Sequence, residues 1–400
     1  MLNRRTILMS PLAAAFLPRR AYAAQLASLH GEIYRQLGIR PLINAAGTYT
    51  TLTGSLLVPQ ARDAMAEAAK YFVPLIDLQQ AAGARIAKLL DVPAAMVSSG
   101  GAGSILLATA ACVTGKDAEK VRRIPDTTGM KNEVIMVREH RMGFDHAARA
   151  AGVRIVEVDT VEQLKSAIGP QTAMLFWVNI KEPLGKITAK EFLEAGKQAG
   201  VPVFNDAAAE LPPAGNLSLL VKQGYDLVGF SGGKALRGPQ ASGLLLGRAD
   251  LIEAAHLNNN PHSDTIGRTC KVGKEEIMGL LAAVEVYSKR DHASEMKLWH
   301  GFMQSVASDL RRISSVSREV FVPVYPGAHP VPYLRIKWDS AAVALTYKEC
   351  ALRLREGEPR IEVNASADEM TLASYLLNPG EERIVGWRLA EVLGSAAKKG

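Results

Sequence analysis

In this 400-residue sequence, a lysine and an aspartate each follow a short apolar run. Lys234 lies on the glycine-rich run SGGKALRGPQ at residues 231–240, directly after the apolar run 225–230. Asp206, 28 residues earlier, follows another short apolar run, 202–205. A lysine amine forms a Schiff base with pyridoxal 5'-phosphate (PLP), and an anion beside the ring nitrogen keeps the ring protonated as an electron sink. The pair therefore predicts a PLP site in which Lys234 carries the cofactor and Asp206 faces its ring nitrogen.

Each of the two residues could instead have a purely structural role. Lys234 could be an ordinary lysine on a turn, and Asp206 could cap the turn that follows it. We favour the cofactor site because both residues follow predicted strands, where the ligand crevice of a doubly wound sheet opens. A buried carboxylate is also costly unless it is paired, and a protonated pyridine ring would supply the partner.

A second glycine-rich segment, SSGGAGS at residues 98–104, joins a predicted strand to a predicted helix over 104–112. Such helix starts present free N–H groups to a phosphate. The alternative is simple helix-start chemistry, for which serine and glycine are also common. The segment lacks the G-x-x-x-x-G-K-[ST] pattern, which excludes a P-loop nucleotide site here.

A histidine lies in the loop after a third predicted strand. The sequence EHRMGFDH at residues 139–146 follows the apolar run 133–137. His140 is predicted to lie flat on the PLP ring, because loops at strand ends carry function in such sheets. A polar loop histidine is the alternative interpretation.

Short Val/Ile/Leu-rich runs alternate with helical patterns, which is typical of an α/β fold with a mostly parallel sheet. Seven strands are predicted, at residues 95–98, 133–137, 154–158, 173–178, 202–205, 226–230 and 243–246. We divide the chain into a signal peptide (1–23), an N-terminal arm (24–55), a large PLP-binding domain (56–258), an active-site loop with a linking helix (259–290) and a small C-terminal α+β domain (291–400). The small domain is expected to hold strands near 320–324 and 333–338.

The first 23 residues read as a twin-arginine export signal. Arg4 and Arg5 precede an apolar stretch, and the small-residue site Ala21-Tyr22-Ala23 follows. Export predicts a periplasmic location, whereas the cytoplasm is expected if this interpretation is wrong. Because residues 1–23 carry four arginines and no acid, their removal lowers the net charge from +7 to +3.

Composition excludes several other classes of function. A charge of +3 gives little reason to expect a nucleic-acid partner. No membrane contact is expected once the signal is removed, since its apolar part is too short to span a bilayer. The three cysteines, Cys112, Cys270 and Cys350, show no C-x-x-C spacing, so neither a metal site nor a disulfide framework is expected.

Together these segments resemble the PLP-dependent aspartate aminotransferase superfamily, which has fold type I. Within it they are similar to the selenocysteine synthase-like group and its D-glucosaminate-6-phosphate ammonia-lyase branch. The resemblance runs from about Pro41 to the C-terminus. Its marks are INAAGT (43–48), residues 98–103, His140-Arg141, NDAAAE (205–210), FSGGKALRGPQ (230–240) and IGRTCKVGKEE (266–276).

The resemblance implies roles for individual residues. Lys234 would form the Schiff base and then act as acid and base at the substrate Cα, with Asp206 at the ring nitrogen and His140 stacked on the ring. Arg268 and Lys271 would bind a substrate carboxylate or phosphate, unless they are merely surface charges. The cofactor phosphate would be held by Ser99, Gly100, Gly101, Ala102, Gly103 and Ser231.

The resemblance also implies a reaction class and an assembly. We expect a lyase that performs α,β-elimination on an amino acid or amino-sugar acid, giving a 2-oxo acid and ammonia. A homodimer or larger ring is implied, because this fold places the site at a subunit boundary. The alternatives are a PLP-dependent transferase acting by β-replacement or transamination, and an exported non-catalytic homologue.

Two departures from the group bear on the substrate. Selenocysteine synthase carries a tRNA-binding module ahead of its catalytic domain, whereas this sequence has 17 residues between Ala23 and Pro41. Seryl-tRNA is therefore not expected as a substrate. An exported enzyme also need not act on a phosphorylated sugar acid.

Overall fold

The computed structural model describes residues 31–324, 326 and 329–397. The chain forms two compact units. Of the described residues, those within 48–292 and 323–330 form the large unit, and those within 31–47, 293–322 and 331–397 form the small unit. Segment 31–47, which we predicted as part of an N-terminal arm, thus belongs to the small unit. The predicted export signal lies outside the described residues. None of the helices in the described part of the chain has the length and apolarity needed to cross a membrane.

The helices and strands follow one another in the order expected for an α/β fold. The helices are α1 (Glu32–Arg35), α2 (Pro59–Ala68), α3 (Leu75–Leu90), α4 (Gly100–Thr114), α5 (Ala118–Arg123), α6 (His146–Ala150), α7 (Val161–Ala167), α8 (Ala189–Ala199), α9 (Asn216–Lys222), α10 (Ala249–Leu257), α11 (Lys274–Tyr287), α12 (His292–Asp309), α13 (Tyr347–Glu356) and α14 (Glu381–Ala396). The strands are β1 (Leu42–Asn44), β2 (Ala94–Ser98), β3 (Glu133–Val137), β4 (Arg154–Val158), β5 (Thr172–Val178), β6 (Val203–Asp206), β7 (Leu227–Ser231), β8 (Gly243–Gly247), β9 (Val316–Phe321), β10 (Tyr333–Trp338), β11 (Arg360–Glu362), β12 (Asn364–Ala365) and β13 (Met370–Ala373).

The large unit is built on a seven-stranded mixed sheet in the order β2-β8-β7-β6-β5-β3-β4. β8 runs antiparallel to both β2 and β7, and the other neighbouring strands pair in parallel. Every residue of β5 is buried. Its side chains alternate between two cores, with Phe176 in one and Trp177 in the other. Both faces of the sheet are therefore covered, as is usual for a mostly parallel sheet.

All seven predicted strands of this sheet are present, and each predicted end lies within one residue of the observed end. The fold is the α/β fold that the sequence predicted. The helix start predicted at residue 104 was wrong, because α4 begins at Gly100. Glycine is a poor helix former, so the segment 98–104 reads as a loop. In the structure its glycines form the first turn of the helix.

The small unit contains a four-stranded antiparallel sheet in the order β12-β13-β10-β9, and a parallel pair of β1 with β11. The helices α12, α13 and α14 supply much of its core, including Met303, Leu354 and Leu389. The strand predicted at 320–324 lies instead at Val316–Phe321. Pro323 lacks a backbone N–H group and cannot continue the ladder with β10.

Candidate active site

The predicted site residues lie at neighbouring strand ends in the large unit. Ser98, at the end of β2, and Ser231, at the end of β7, both pair with Gly243 at the start of β8. The adjacent strand β6 ends at Asp206, which pairs with Gly229 of β7. Lys234 follows the end of β7 by three residues. The register of the sheet thus brings the helix start of α4, Asp206 and Lys234 to one edge.

The turn that carries Lys234 is held closely by its surroundings. The Gly232 N–H donates to the Ser242 carbonyl over 2.8 Å, and the Ser55 hydroxyl donates to the Lys234 carbonyl over 2.7 Å. A Cβ atom on Gly232 would lie 2.1 Å from the Ser242 hydroxyl oxygen, so only glycine fits there. The Lys234 backbone is therefore fixed by hydrogen bonds and close packing on both sides.

Lys234 and Asp206 interact electrostatically in a buried environment. Asp206 is 6% exposed, and its Oδ1 accepts a hydrogen bond of 3.0 Å from the Ala208 N–H. Burial raises the pKa of Asp206, and the Ala208 N–H and the Lys234 amine oppose that rise. Burial likewise lowers the pKa of Lys234, and Asp206 and Glu210 oppose that change. A lysine with a lowered pKa has a larger unprotonated fraction at neutral pH, and that form attacks carbonyl carbons.

The first turn of α4 offers a place for a phosphate. Among the described residues, the side chain of the N-cap residue Ser99 caps no backbone N–H of this helix. The first N–H groups of an α-helix lack acceptors within the helix, and its dipole favours an anion there. A Cβ atom on Gly101 would lie 3.1 Å from the Ala208 Cβ and 3.9 Å from the Ser231 Cβ. The helix start therefore approaches both the turn after Asp206 and the end of β7.

His140 ends a short 3₁₀ turn after β3 and is completely buried. Its Nδ1 accepts a hydrogen bond of 3.3 Å from the Val178 N–H, and its ring stands edge-on to Trp177 with centroids 4.3 Å apart. Val178 pairs with Asp206 in the sheet, so His140 lies at the same edge. Burial and the charge of Lys181 lower the pKa of His140 to about 4. The imidazole is therefore neutral at neutral pH, and its stacking on a cofactor ring stays a prediction.

A chain of buried side-chain amides ends at the carboxylate of Glu210, for which the sequence alone predicted no role. The Asn205 side-chain amide donates to the Asn179 Oδ1 over 3.1 Å, and the Asn179 amide donates to the Glu210 Oε2 over 3.0 Å. The Asn216 amide donates to the Glu210 backbone carbonyl over 2.8 Å. All four side chains are at most 3% exposed. Two polar residues, Asn179 and Asn205, at the ends of apolar strands were the available sequence signal.

His329 is a second residue near Lys234 that no sequence feature identified. It belongs to segment 323–330, which clusters with the large unit. Burial lowers the pKa of His329 to about 4, the charge of Lys234 acts in the same direction, and a hydrogen bond to the Leu211 backbone opposes both. His329 thus lies close enough to Lys234 for the two side chains to interact electrostatically. No local pattern places it there, because 94 residues separate the two in sequence.

Arg268 and Lys271 are exposed on the segment between α10 and α11. Within the described part of the chain, no ion pair or hydrogen bond joins either side chain to Lys234, Asp206 or His140. Their predicted role in binding substrate stays a prediction.

The residues present fit PLP. A buried carboxylate with one backbone donor suits a protonated ring nitrogen, and an amine with a lowered pKa suits Schiff-base formation. The start of the 15-residue helix α4 suits the phosphate. All three features lie at neighbouring strand ends in one unit, so a single small molecule could contact them together.

Comparisons with known proteins agree with this geometry. The family model of L-seryl-tRNA selenium transferase, SelA, matches residues 42–315. The D-glucosaminate-6-phosphate ammonia lyase of Salmonella typhimurium is 30% identical over 382 residues, which cover 92% of this chain and 99% of that protein. The 5'-C-glycyluridine monooxygenase-decarboxylase of a Streptomyces species is 30% identical over 91% of this chain and 92% of its own length.

A solved structure of D-glucosaminate-6-phosphate ammonia-lyase matches with a TM-score of 0.79 and 28% identity, over 92% of this chain and all of that one. The SelA match covers more than half of the sequence and includes Asp206, Lys234 and the start of α4. The chain therefore belongs to the SelA family of PLP-dependent enzymes and has fold type I.

Proposed function

We propose that this chain is a PLP-dependent lyase that eliminates water from an amino acid or amino-sugar acid and releases a 2-oxo acid and ammonia. The observation that carries the proposal is the pairing of Lys234, whose pKa burial lowers, with the buried carboxylate of Asp206. The similarity to an ammonia lyase over nearly the whole of both chains supports elimination as the reaction.

The residues of this chain would divide the work as follows. Bound PLP supplies an electron sink for the negative charge that develops at the substrate Cα. Asp206 keeps the ring nitrogen protonated, and the start of α4 holds the phosphate. The Lys234 amine takes the Cα proton and passes it to the hydroxyl that leaves Cβ, which departs as water. The released enamine tautomerises and is hydrolysed to a 2-oxo acid and ammonia.

The substrate would carry a carboxylate, an amine at Cα and a hydroxyl at Cβ. Arg268 and Lys271 are the proposed partners of its carboxylate or of a phosphate, and their exposure leaves them accessible. We propose assembly into a homodimer or a larger ring, in line with fold type I. Exposed apolar side chains between α2 and α3, among them a fully exposed Phe72, support burial of this surface by a second copy.

A transferase is the second candidate, because the family model that matches residues 42–315 is that of a selenium transferase. Lys234, Asp206 and the phosphate site would serve transfer chemistry equally well. An exported non-catalytic homologue is less well supported, since Lys234 and Asp206 occur together at the strand ends.

Product analysis tests the proposed reaction. We expect the purified PLP-loaded protein to release ammonia and 2-oxo acid in equal amounts from a member of a panel of β-hydroxy amino acids and amino-sugar acids, with and without phosphate. Lys234→Ala is the blank, because it lacks the amine that takes the Cα proton. Release that depends on an added oxo-acid acceptor, or on an added nucleophile, would identify a transferase and contradict the lyase.

We propose further that residues 1–23 direct export of the folded, cofactor-loaded protein to the periplasm. Arg4 and Arg5 before an apolar stretch support the proposal. Replacing both arginines by lysine is expected to retain the protein in the cytoplasm, as judged by fractionation and immunodetection. An unchanged distribution of the double variant, or cytoplasmic wild-type protein, would contradict it.

A further inference from the structure

Glu210 stands out as a buried carboxylate to which the proposed reaction gives no role. It is 3% exposed, and it lies on the turn that follows Asp206. Its backbone N–H donates to the Ala207 carbonyl over 3.0 Å, and the Ala207 N–H donates to the Gly229 carbonyl of β7 over 2.9 Å. The turn is thereby tied to the strand that leads to Lys234. An ionised carboxylate in such a place is costly unless it is paired.

The Glu210 carboxylate accepts a hydrogen bond from a residue at a neighbouring strand end. Asn179 follows β5, and its amide donates to the Glu210 Oε2. Asn205 of β6 in turn donates to the Asn179 Oδ1. The Asn179 side-chain amide therefore cannot rotate without breaking two hydrogen bonds. Donation by Asn179 stabilises the charged form of the carboxylate. The amide chain therefore keeps the carboxyl group in one position, which suits it to act on a neighbouring charge.

That charge acts on Lys234. Three titratable groups of the described chain interact with its amine, namely Asp206, Glu210 and His329. Asp206 and Glu210 favour the ammonium form of Lys234. The imidazole of His329 is neutral near pH 7, because burial and the Lys234 charge lower its pKa to about 4. Lys234 thus faces two carboxylates, of which one is accounted for by the cofactor ring nitrogen.

We propose that Glu210 is a positioning residue which holds a proton on the Lys234 amine during the catalytic cycle. Once Asp206 is engaged with the ring nitrogen, Glu210 is the other carboxylate among the described residues that acts on the amine. It stabilises the ammonium that forms when Lys234 takes the Cα proton, until that proton leaves with the Cβ hydroxyl as water. This inference rests on the proposed function, since it assigns Lys234 the same role.

The test uses the pH dependence of PLP binding to the cofactor-free protein, which needs no turnover. Only the unprotonated Lys234 amine attacks the PLP aldehyde, so the imine absorbance appears at a rate that reports the amine pKa. Glu210→Gln keeps the shape of the side chain and removes its charge. The midpoint of the rate profile is expected to fall by about one pH unit, as is typical for loss of a neighbouring opposite charge.

Matched variants separate an electrostatic role from a structural one. Glu182→Gln, on the turn after β5, changes a partly buried carboxylate that is not among the groups acting on Lys234, and it is expected to leave the midpoint unchanged. Glu210→Asp keeps the charge and is expected to restore most of the wild-type midpoint. If Glu210→Gln does not fold, Asn179→Ala, which removes the donor to the carboxylate, is expected to lower the midpoint by a smaller amount.

The outcomes distinguish this inference from the proposed function. An imine band that survives Lys234→Ala would overturn the assignment of Lys234 and with it the proposed function. A band that requires Lys234, with the same midpoint in wild type and in a folded Glu210→Gln, would overturn the role of Glu210 alone. A fall in the midpoint that Glu182→Gln reproduces would also overturn it, since the effect would then be general.

Discussion

Lys234→Ala is expected to abolish covalent attachment of PLP and to lower kcat/KM by about 10³-fold or more, because general acid–base catalysis alone contributes about 10²–10⁴-fold. Burial lowers the pKa of Lys234 from an ordinary value of 10.5, which makes it the nucleophile suited to the cofactor aldehyde. Reduction with borohydride followed by peptide mass spectrometry is expected to place PLP on Lys234 in the wild-type protein and nowhere in the variant.

Lys222→Ala is the matched control for this prediction. Lys222 lies at the end of α9 in the same unit, where its amine is 2.7 Å from a carboxylate oxygen of Asp91 on the surface. Its loss is expected to leave cofactor attachment and activity within about twofold, since an exposed ion pair contributes little. Recovery of PLP on another lysine in Lys234→Ala would show that the site lies elsewhere. A wild-type protein that takes up no PLP would favour a non-catalytic homologue.

Asp206→Asn is expected to lower kcat/KM by about 10²–10³-fold, which is the size of effect seen when one preorganised electrostatic group is removed. Its carboxylate is buried at the end of β6, where a neutral amide would no longer keep the cofactor ring nitrogen protonated. The electron sink would weaken although the imine could still form. Kinetics and the visible absorbance of the loaded protein measure the two effects separately.

The contrast between the two variants is part of this prediction. Asp206→Asn is expected to retain PLP on Lys234 after borohydride reduction and to lose turnover, whereas Lys234→Ala loses both. Asp250→Asn serves as the control, because that carboxylate pairs with Arg248 just after β8, at the opposite end of the sheet from Ser231. Full activity of Asp206→Asn would show that Asp206 only caps its turn.

The sequence predicted the sheet accurately because its strands are short apolar runs bounded by turn residues. Such runs are specified locally, and the burial of both faces of a parallel sheet explains why they are almost continuously apolar. The same local signals predicted the Lys234 turn and the placement of Asp206. Both sit at the carboxyl ends of strands, where any doubly wound sheet opens its crevice.

The local sequence pattern failed to predict a helix start that depends on tertiary packing. The glycines of 100–103 favour a loop by propensity, yet they form the first turn of α4 because the helix start must approach β7 and the turn after Asp206. A Cβ on Gly243 would lie 2.3 Å from the Gly100 carbonyl oxygen, so the close approach of the helix start requires glycine at position 243. Tertiary contact thus outweighs helix propensity at this position.

The sequence by itself determined the α/β fold, the pairing of Lys234 with Asp206 and the PLP chemistry that this pair predicts, because all three are set by residue types at strand ends. Only the tertiary structure decided what surrounds the Lys234 amine. Glu210, which an amide chain from the ends of β5 and β6 holds in place, acts on it electrostatically. His329 interacts with it from 95 residues away in sequence. Electrostatic interactions depend on distance in space and on burial, which arise only when the chain has folded.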